Sequence, residues 1–228
     1  MIDYVAVMKD ARIHLVSREN TVSVKDLTLC HRKKVFSKMY PTQLTDEELY
    51  EYLSEQAGHD NIQRLFMIYP NRFRLEMEVQ YEHIRGRIDV YDKLFNNVID
   101  IKTSKLQRVL LKPFKFHEKQ VRYYMAMVDS DEGYLIYQMN NLGAYVSFPI
   151  HMSAEERKKT LEELKSEADS LQNAIDAGDP SLAKGIYNDG NMEWMCNKCQ
   201  YLENCKGIRH LDYDNRTVEI NAIGIDQL

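Results

Sequence analysis

Gly86-Arg87-Ile88-Asp89-Val90, followed closely by Val98-Ile99-Asp100-Ile101-Lys102, decides how the rest of the chain is read. Both segments read as strands, and on a strand residues two apart share a face. Asp100 and Lys102 therefore project together, while Ile99 and Ile101 turn toward a core. With Asp89 supplied by the neighbouring strand, two carboxylates can grip a hard divalent cation while the lysine stabilises charge or orients a water. Phosphodiester hydrolysis assisted by Mg²⁺ or Mn²⁺ needs this grouping. Taken singly, each residue has an ordinary explanation: Asp and Lys two apart on a strand usually make a solvated face, and Asp89 beside Arg87 usually makes a surface ion pair.

Working outward, the pattern gives a mixed α+β chain. Phe73, Leu75, Met77 and Val79 alternate as a strand ahead of the first segment, so three strands form a meander with Asn96 and Asn97 in a turn. Upstream, Thr45 and Glu48 form a capping box for a helix through Leu49, Tyr52, Leu53, Gln56 and His59 toward Leu65 and Phe66, with Gly58 its one weak point. Ser23 and Asp26 start an earlier helix that places Cys30 within it or at its end. Downstream come a helix containing Gln120 to Val128, then strands near Gly133 to Met139 and Gly143 to Ile150. Ser153 and Glu156 cap a charged helix whose apolar line is Leu161, Leu164, Ala168, Leu171 and Ile175, ending near Gly178-Asp179-Pro180. The expected organisation is an N-terminal helical segment over 1–40, a core over 41–152, and a helix with a cysteine-rich segment over 153–228.

The 228 residues carry a net charge of -5, which weighs against nonspecific coating of nucleic acid. Local clustering runs the other way. Lys102, Lys105, Arg108, Lys112, Lys115, Lys119 and Arg122 face only Glu118 in their stretch, and Pro113 prevents one continuous helix. A basic loop leading into a helix results: a solvated face when alone, a candidate phosphate track beside an acidic metal site. Lys9, Asp10 and Arg12 interrupt the mildly apolar opening, and no run approaches the length of a membrane span. A cytoplasmic protein without a membrane partner is expected. No G-x-x-x-x-G-K-[ST] loop is present, so any ATP-driven unwinding must come from another protein.

The 4 cysteines are an isolated Cys30 and a C-x-x-C-x5-C trio, Cys196, Cys199 and Cys205. In a reducing compartment they suit a metal centre better than two disulfides. The trio can converge on one ion or cluster, and if Cys30 supplies the fourth ligand the centre clasps the two ends of the chain. Spacing does not separate an iron-sulfur cluster from tetrahedral zinc.

Taken together, His59, Asp89, Asp100 with Lys102, and Gln120 with Tyr124 resemble, in order and type, the RecB-like branch of the PD-(D/E)XK nucleases. The four cysteines resemble the layout of its CRISPR-associated exonucleases, which hold an iron-sulfur cluster with one upstream and three downstream cysteines. The basic Cys30-His31-Arg32-Lys33-Lys34 stretch looks similar as well. The resemblance spans roughly residues 20 to 207. It implies a restriction-endonuclease-like core: a central mixed β-sheet flanked by helices, plus a cysteine-ligated cluster joining the N- and C-terminal segments. His59, Asp89, Asp100 and the Ile101 carbonyl would bind Mn²⁺ or Mg²⁺, Lys102 would orient or activate water, and Gln120 and Tyr124 would lie beside the site. Lys105, Arg108 and Arg122 would contact DNA, and Cys30, Cys196, Cys199 and Cys205 would hold a 4Fe-4S cluster, with zinc as the alternative. In the family the histidine often follows a glycine by several positions, whereas Gly58 and His59 are adjacent here; His83, the other candidate, stands too near the first strand. The expected function is a metal-dependent DNA exonuclease acting on single-stranded ends, processing DNA for CRISPR spacer acquisition beside the adaptation integrase. The alternatives are a RecB-like nuclease of viral or general recombination and repair, or a non-catalytic metal-stapled DNA-binding module.

Overall fold

The computed structural model describes residues 21–41, 45–187 and 192–208; Lys9, Asp10, Arg12 and the chain after Ile208 lie outside the described residues. Three helices begin where the sequence places their capping boxes. Ser23, Thr45 and Ser153 each accept the backbone N–H of the third helical residue, whose own carboxylate returns to the cap backbone. Such a cap contributes about 1 kcal/mol. The helices are α1 (Val24–Thr28), α3 (Asp46–Phe66) and α5 (Ala154–Ala177), the last closed by Gly178 in the left-handed region at φ 62. The chain also forms α2 (His31–Met39), which the charge-rich sequence did not announce, with Cys30 at its N-cap. Helix α4 (Lys115–Met127) starts soon after Pro113 and earlier than expected, with Phe114 at its N-cap.

Five strands, β1 (Phe73–Tyr81), β2 (Ile84–Asp92), β3 (Asn97–Ser104), β4 (Glu132–Met139) and β5 (Ala144–His151), form one sheet in sequential order. The first three make the expected antiparallel meander, with Asn96 in the turn at φ 57 and Asn97 already inside β3. Helix α4 carries the chain across to β4, which pairs parallel to β3, and β5 returns antiparallel. This is the mixed α+β architecture expected from the sequence.

Both faces of the sheet are covered. The larger core joins Val98, Leu135, Tyr137 and Ile150 of the sheet to Val121 and Met125 of α4 and to Leu164, Ala168 and Leu171 of α5. A smaller core of Ile62, Val90, Ile99 and Ile101 lies under α3. The regular alternation expected of β1 fails at Glu76: Phe73 and Leu75 pack with the smaller core, Met77 and Val79 with the larger. Glu76 adopts φ 49, and this left-handed step rotates the strand so that residues on either side of it face different layers. Opposite it, Ile88 and Val90 divide between the same two cores.

Two glycines set distances that matter for the site. A methyl at Gly58 would stand 2.9 Å from Thr103 Cγ2, so the missing side chain lets α3 lie directly on β3. At Gly86 a methyl would meet Tyr124 Cε1 at 2.5 Å and Val24 Cγ2 at 3.1 Å. Gly86→Ala is therefore expected to destabilise the protein by about 1–3 kcal/mol in denaturant unfolding, through overpacking against an immobile ring.

Candidate active site

The acids gather where β2 parts from β3. Their ladder holds only at Val90, Tyr91 and Asp92 against Ile99, Val98 and Asn97. From Ile88 back to Ile84, β2 continues with β1, and on its other side Arg85 N–H donates to the Val22 carbonyl at 3.1 Å. Within this fork Asp89 Oδ2 accepts the Ile101 N–H at 2.7 Å, a carboxylate standing where a ladder carbonyl would otherwise be. His59 of α3 reaches the same carboxylate, its Nδ1 lying 3.6 Å from Oδ2.

Asp100 is buried, 1 % exposed, beside Asp89. Lys102 Nζ stands 2.8 Å from its Oδ2 as an ion pair. Among the described residues Asp100 Oδ1 accepts no hydrogen bond, and Lys102 is the donor that meets Oδ2. The solvated polar face that is the ordinary fate of Asp-x-Lys on a strand is thus absent; these two side chains lie in the interior. From α4, Gln120 Nε2 donates to Tyr124 Oη at 3.3 Å, and Arg87 N–H reaches the same oxygen at 3.5 Å. His59, Asp89, Asp100, Lys102, Gln120 and Tyr124 therefore come together. His83 does not: it lies in the β1–β2 turn, 3.6 Å from Asp169 of α5.

Burial governs the ionisation of the group. It raises the Asp100 pKa to about 6, with Asp89 adding to the effect and Lys102 opposing it. Asp89 is likewise raised by burial against the pull of Lys102 and the Ile101 N–H. Burial works against the charge on Lys102, but Asp100 and Asp89 hold its pKa above the usual lysine value, so it remains an ammonium. His59 is lowered by burial and by Lys102 and stays neutral, the form that ligates metals. Burial pushes Tyr124 up to about 12, keeping it a phenol.

Two further residues belong to this cluster and escaped the sequence. Glu76 lies opposite Asp89 in the β1–β2 register, between the Leu75↔Val90 and Met77↔Ile88 pairs. Its carboxylate pairs with Arg87 Nε at 2.5 Å and accepts from Gln63 Nε2. Gln63, buried in α3, also donates to the Asp89 carbonyl at 3.4 Å. A signal for Gln63 did exist, since it sits one helical turn beyond His59 on the same face. None existed for Glu76, whose placement depends on the positive φ.

Among the described residues no three His, Cys, Asp or Glu side chains stand ready-arranged to hold a metal ion. The donor chemistry nevertheless fits a hard divalent cation: two carboxylates stand together and repel each other, and Oδ1 of the buried Asp100 lacks a donor. None of the four cysteines forms a disulfide among the described residues, and all are half-buried. Cys30 and Cys196 share an apolar cluster with Phe116, Ile186 and Met192. Burial raises the Cys30 pKa, and Cys205 and Cys199 lie near enough to raise it further. Thiols from both ends of the described chain thus meet in one region, and Arg32, buried, reaches from α2 to Cys205 Sγ at 3.9 Å.

The basic stretch divides into cations paired with acids and cations that stand exposed. His31 and Arg32 are buried, Lys119 is held by Glu167 at 2.7 Å, and Arg122 pairs with Glu118 at 3.0 Å. Lys105 is exposed but faces Glu51 at 3.3 Å, while Arg108, Lys112 and Lys115 are exposed. A groove of about 740 Å³ runs past Phe66, Phe73, Tyr134 and Ile136 and includes none of Asp89, Asp100 and Lys102. No helix among the described residues is long and apolar enough to cross a membrane.

The structure resembles that of SSO0001, at 19% identity over 90% of this chain and 96% of that one, with a TM-score of 0.61. A phage-related exonuclease from Haemophilus somnus 129PT aligns at 13% identity over 69% and 96% of the two chains, TM-score 0.49. An alkaline exonuclease from Laribacter hongkongensis aligns at 12% over 75% and 98%, TM-score 0.44. No family model matches the chain, and no curated protein matches its sequence.

Because the folded protein holds the Asp100 proton more tightly than the unfolded chain does, this residue's contribution to stability is full below the ordinary value of 3.8 and lost as pH rises through about 6. In chelator, the wild type is expected to lose stability between about pH 4 and pH 7 relative to Asp100→Asn, by on the order of 2 kcal/mol. Mn²⁺ should restore the wild type and leave the variant unchanged. Thermal melts across pH, with and without metal, measure both.

Proposed function

We propose that the protein is a divalent-metal-dependent DNA nuclease, an exonuclease acting on single-stranded ends. What carries this is Asp100: a buried carboxylate beside Asp89, paired with Lys102 through Oδ2 while its Oδ1 lacks a hydrogen-bond donor. Lys102 balances one carboxylate of the two, and holding a second beside it is costly without a further cation, since desolvation costs several kcal/mol per ion. His59, Asp89, Asp100 and the Ile101 carbonyl are the groups that would hold Mg²⁺ or Mn²⁺. The ion supplies Lewis-acid polarisation of a phosphate and lowers the pKa of a bound water.

The remaining roles follow from the protonation states. Lys102, fixed as an ammonium, cannot take a proton from water; it donates to the water or to a phosphate oxygen as negative charge builds up. Tyr124, a phenol, donates likewise, and Gln120 sets its position. Glu76 and Gln63 brace Asp89 across the fork. Through the resemblance in residue types and order, the setting is processing of captured DNA for CRISPR spacer acquisition beside the adaptation integrase. Cys30, Cys196, Cys199 and Cys205 hold a 4Fe-4S cluster, zinc being the alternative, that clasps the chain without taking part in catalysis.

Labelled single-stranded and duplex oligonucleotides with Mg²⁺ or Mn²⁺ test this directly. Asp100→Ala and Lys102→Ala are each expected to fold and to lose at least about a hundredfold in cleavage rate. Full activity in either variant removes the assignment. Protein purified without oxygen is expected to be brown, whereas a zinc protein is colourless. Cys199→Ser should lose the colour and melt at lower temperature; a metal-free wild type that is stable and active rules out the clasp.

A further inference from the structure

We infer that the loop between β3 and α4 is a wedge that opens the end of a DNA duplex and delivers one strand to the acids; this rests on the nuclease function proposed above. The loop spans Lys105 to Phe114 and directly joins two elements that carry site residues, Lys102 on β3 and Gln120 on α4. Its apolar residues divide into two sets. Leu106, Leu110 and Phe114 pack against the larger core and anchor it. Val109 and Leu111 point outward, 52 % and 93 % exposed.

The anchoring is polar as well as apolar. Leu106 N–H donates to Ser104 Oγ at 3.3 Å, Asn141 Nδ2 donates to the Lys105 carbonyl, and Phe114 N–H donates to Tyr137 Oη at 3.2 Å. The apolar tip is thus held in place by ties along the loop. Around it stand Arg108, Lys112 and Lys115, with Lys105 paired to Glu51 of α3 at its base, and the chain itself carries no acid from Thr103 to His117.

A scattered surface leucine requires no explanation. Two apolar side chains raised on an anchored, wholly cationic loop beside a phosphodiesterase site match a particular ligand. Cations hold the phosphates while an apolar side chain enters between base steps, the means by which proteins unstack DNA. The end of a duplex is the occupant these features fit, because its terminal base pair exposes an apolar face and its two strands must part before one can reach a buried carboxylate pair.

The test compares Leu111→Ser with Leu111→Met on two substrates in Mn²⁺. Leu111→Ser is expected to cleave single-stranded DNA within about twofold of wild type and to cleave blunt duplex ends at least about tenfold more slowly, while Leu111→Met retains both rates. Independently, a duplex carrying 2-aminopurine at its terminal pair should brighten when wild-type protein binds in Ca²⁺ and should not with Leu111→Ser. Equal rates on duplex, or equal losses on both substrates, overturn the wedge. A wild type that cleaves neither substrate sinks the nuclease function instead, and the 2-aminopurine signal still decides whether the loop opens an end.

Discussion

The site depends on one hydrogen bond, from the Ile101 N–H to the Asp89 carboxylate at 2.7 Å. A sheet that splits leaves backbone donors unpaired, and an unpaired buried N–H is costly. Here a side chain fills the deficit. The same contact fixes one carboxylate at the mouth of the fork and brings Asp100 and Lys102 of the following residues alongside it. Fold and site are thereby satisfied by one atom, and the neighbouring charges inherit their abnormal ionisation from the burial this arrangement demands.

Much of this was legible in the sequence because it is local. Capping boxes, the alternation of Val98 to Lys102 and the helical phase of His59 each need only a few residues, and the structure reproduces them. Sequence reasoning went astray where the partner lies far along the chain. Lys119 read as part of a phosphate track because Glu167, 48 residues further on, could not be placed beside it from sequence. Arg32 entered only as one residue of a basic stretch, and its guanidinium is buried against the carbonyls of Pro180 and Ala183. Gly58, which looks like a defect in a helix, is the reason α3 can rest on Thr103 and hold His59 near Asp89.

Arg32 also shows how the two ends of the described chain cohere. It belongs to α2, directly after Cys30, and is tied to the segment following α5 and to Cys205. Gly185 lies so close that an added methyl would meet Arg32 Nη1 at 3.0 Å. Packing, a buried cation and sulfur thus converge on one junction, distinct from the carboxylate fork and linked to it through α1, α4 and the sheet they cover.

Glu76 has an implication for how the sequence can drift. A left-handed backbone angle costs a non-glycine residue about 1–2 kcal/mol, a cost that glycine escapes. Backbone ease alone pushes this position toward glycine, while the pairing with Arg87, the hydrogen bond from Gln63 and the negative charge opposite Asp89 push back. The position is therefore one where the side chain is kept at the expense of the main chain.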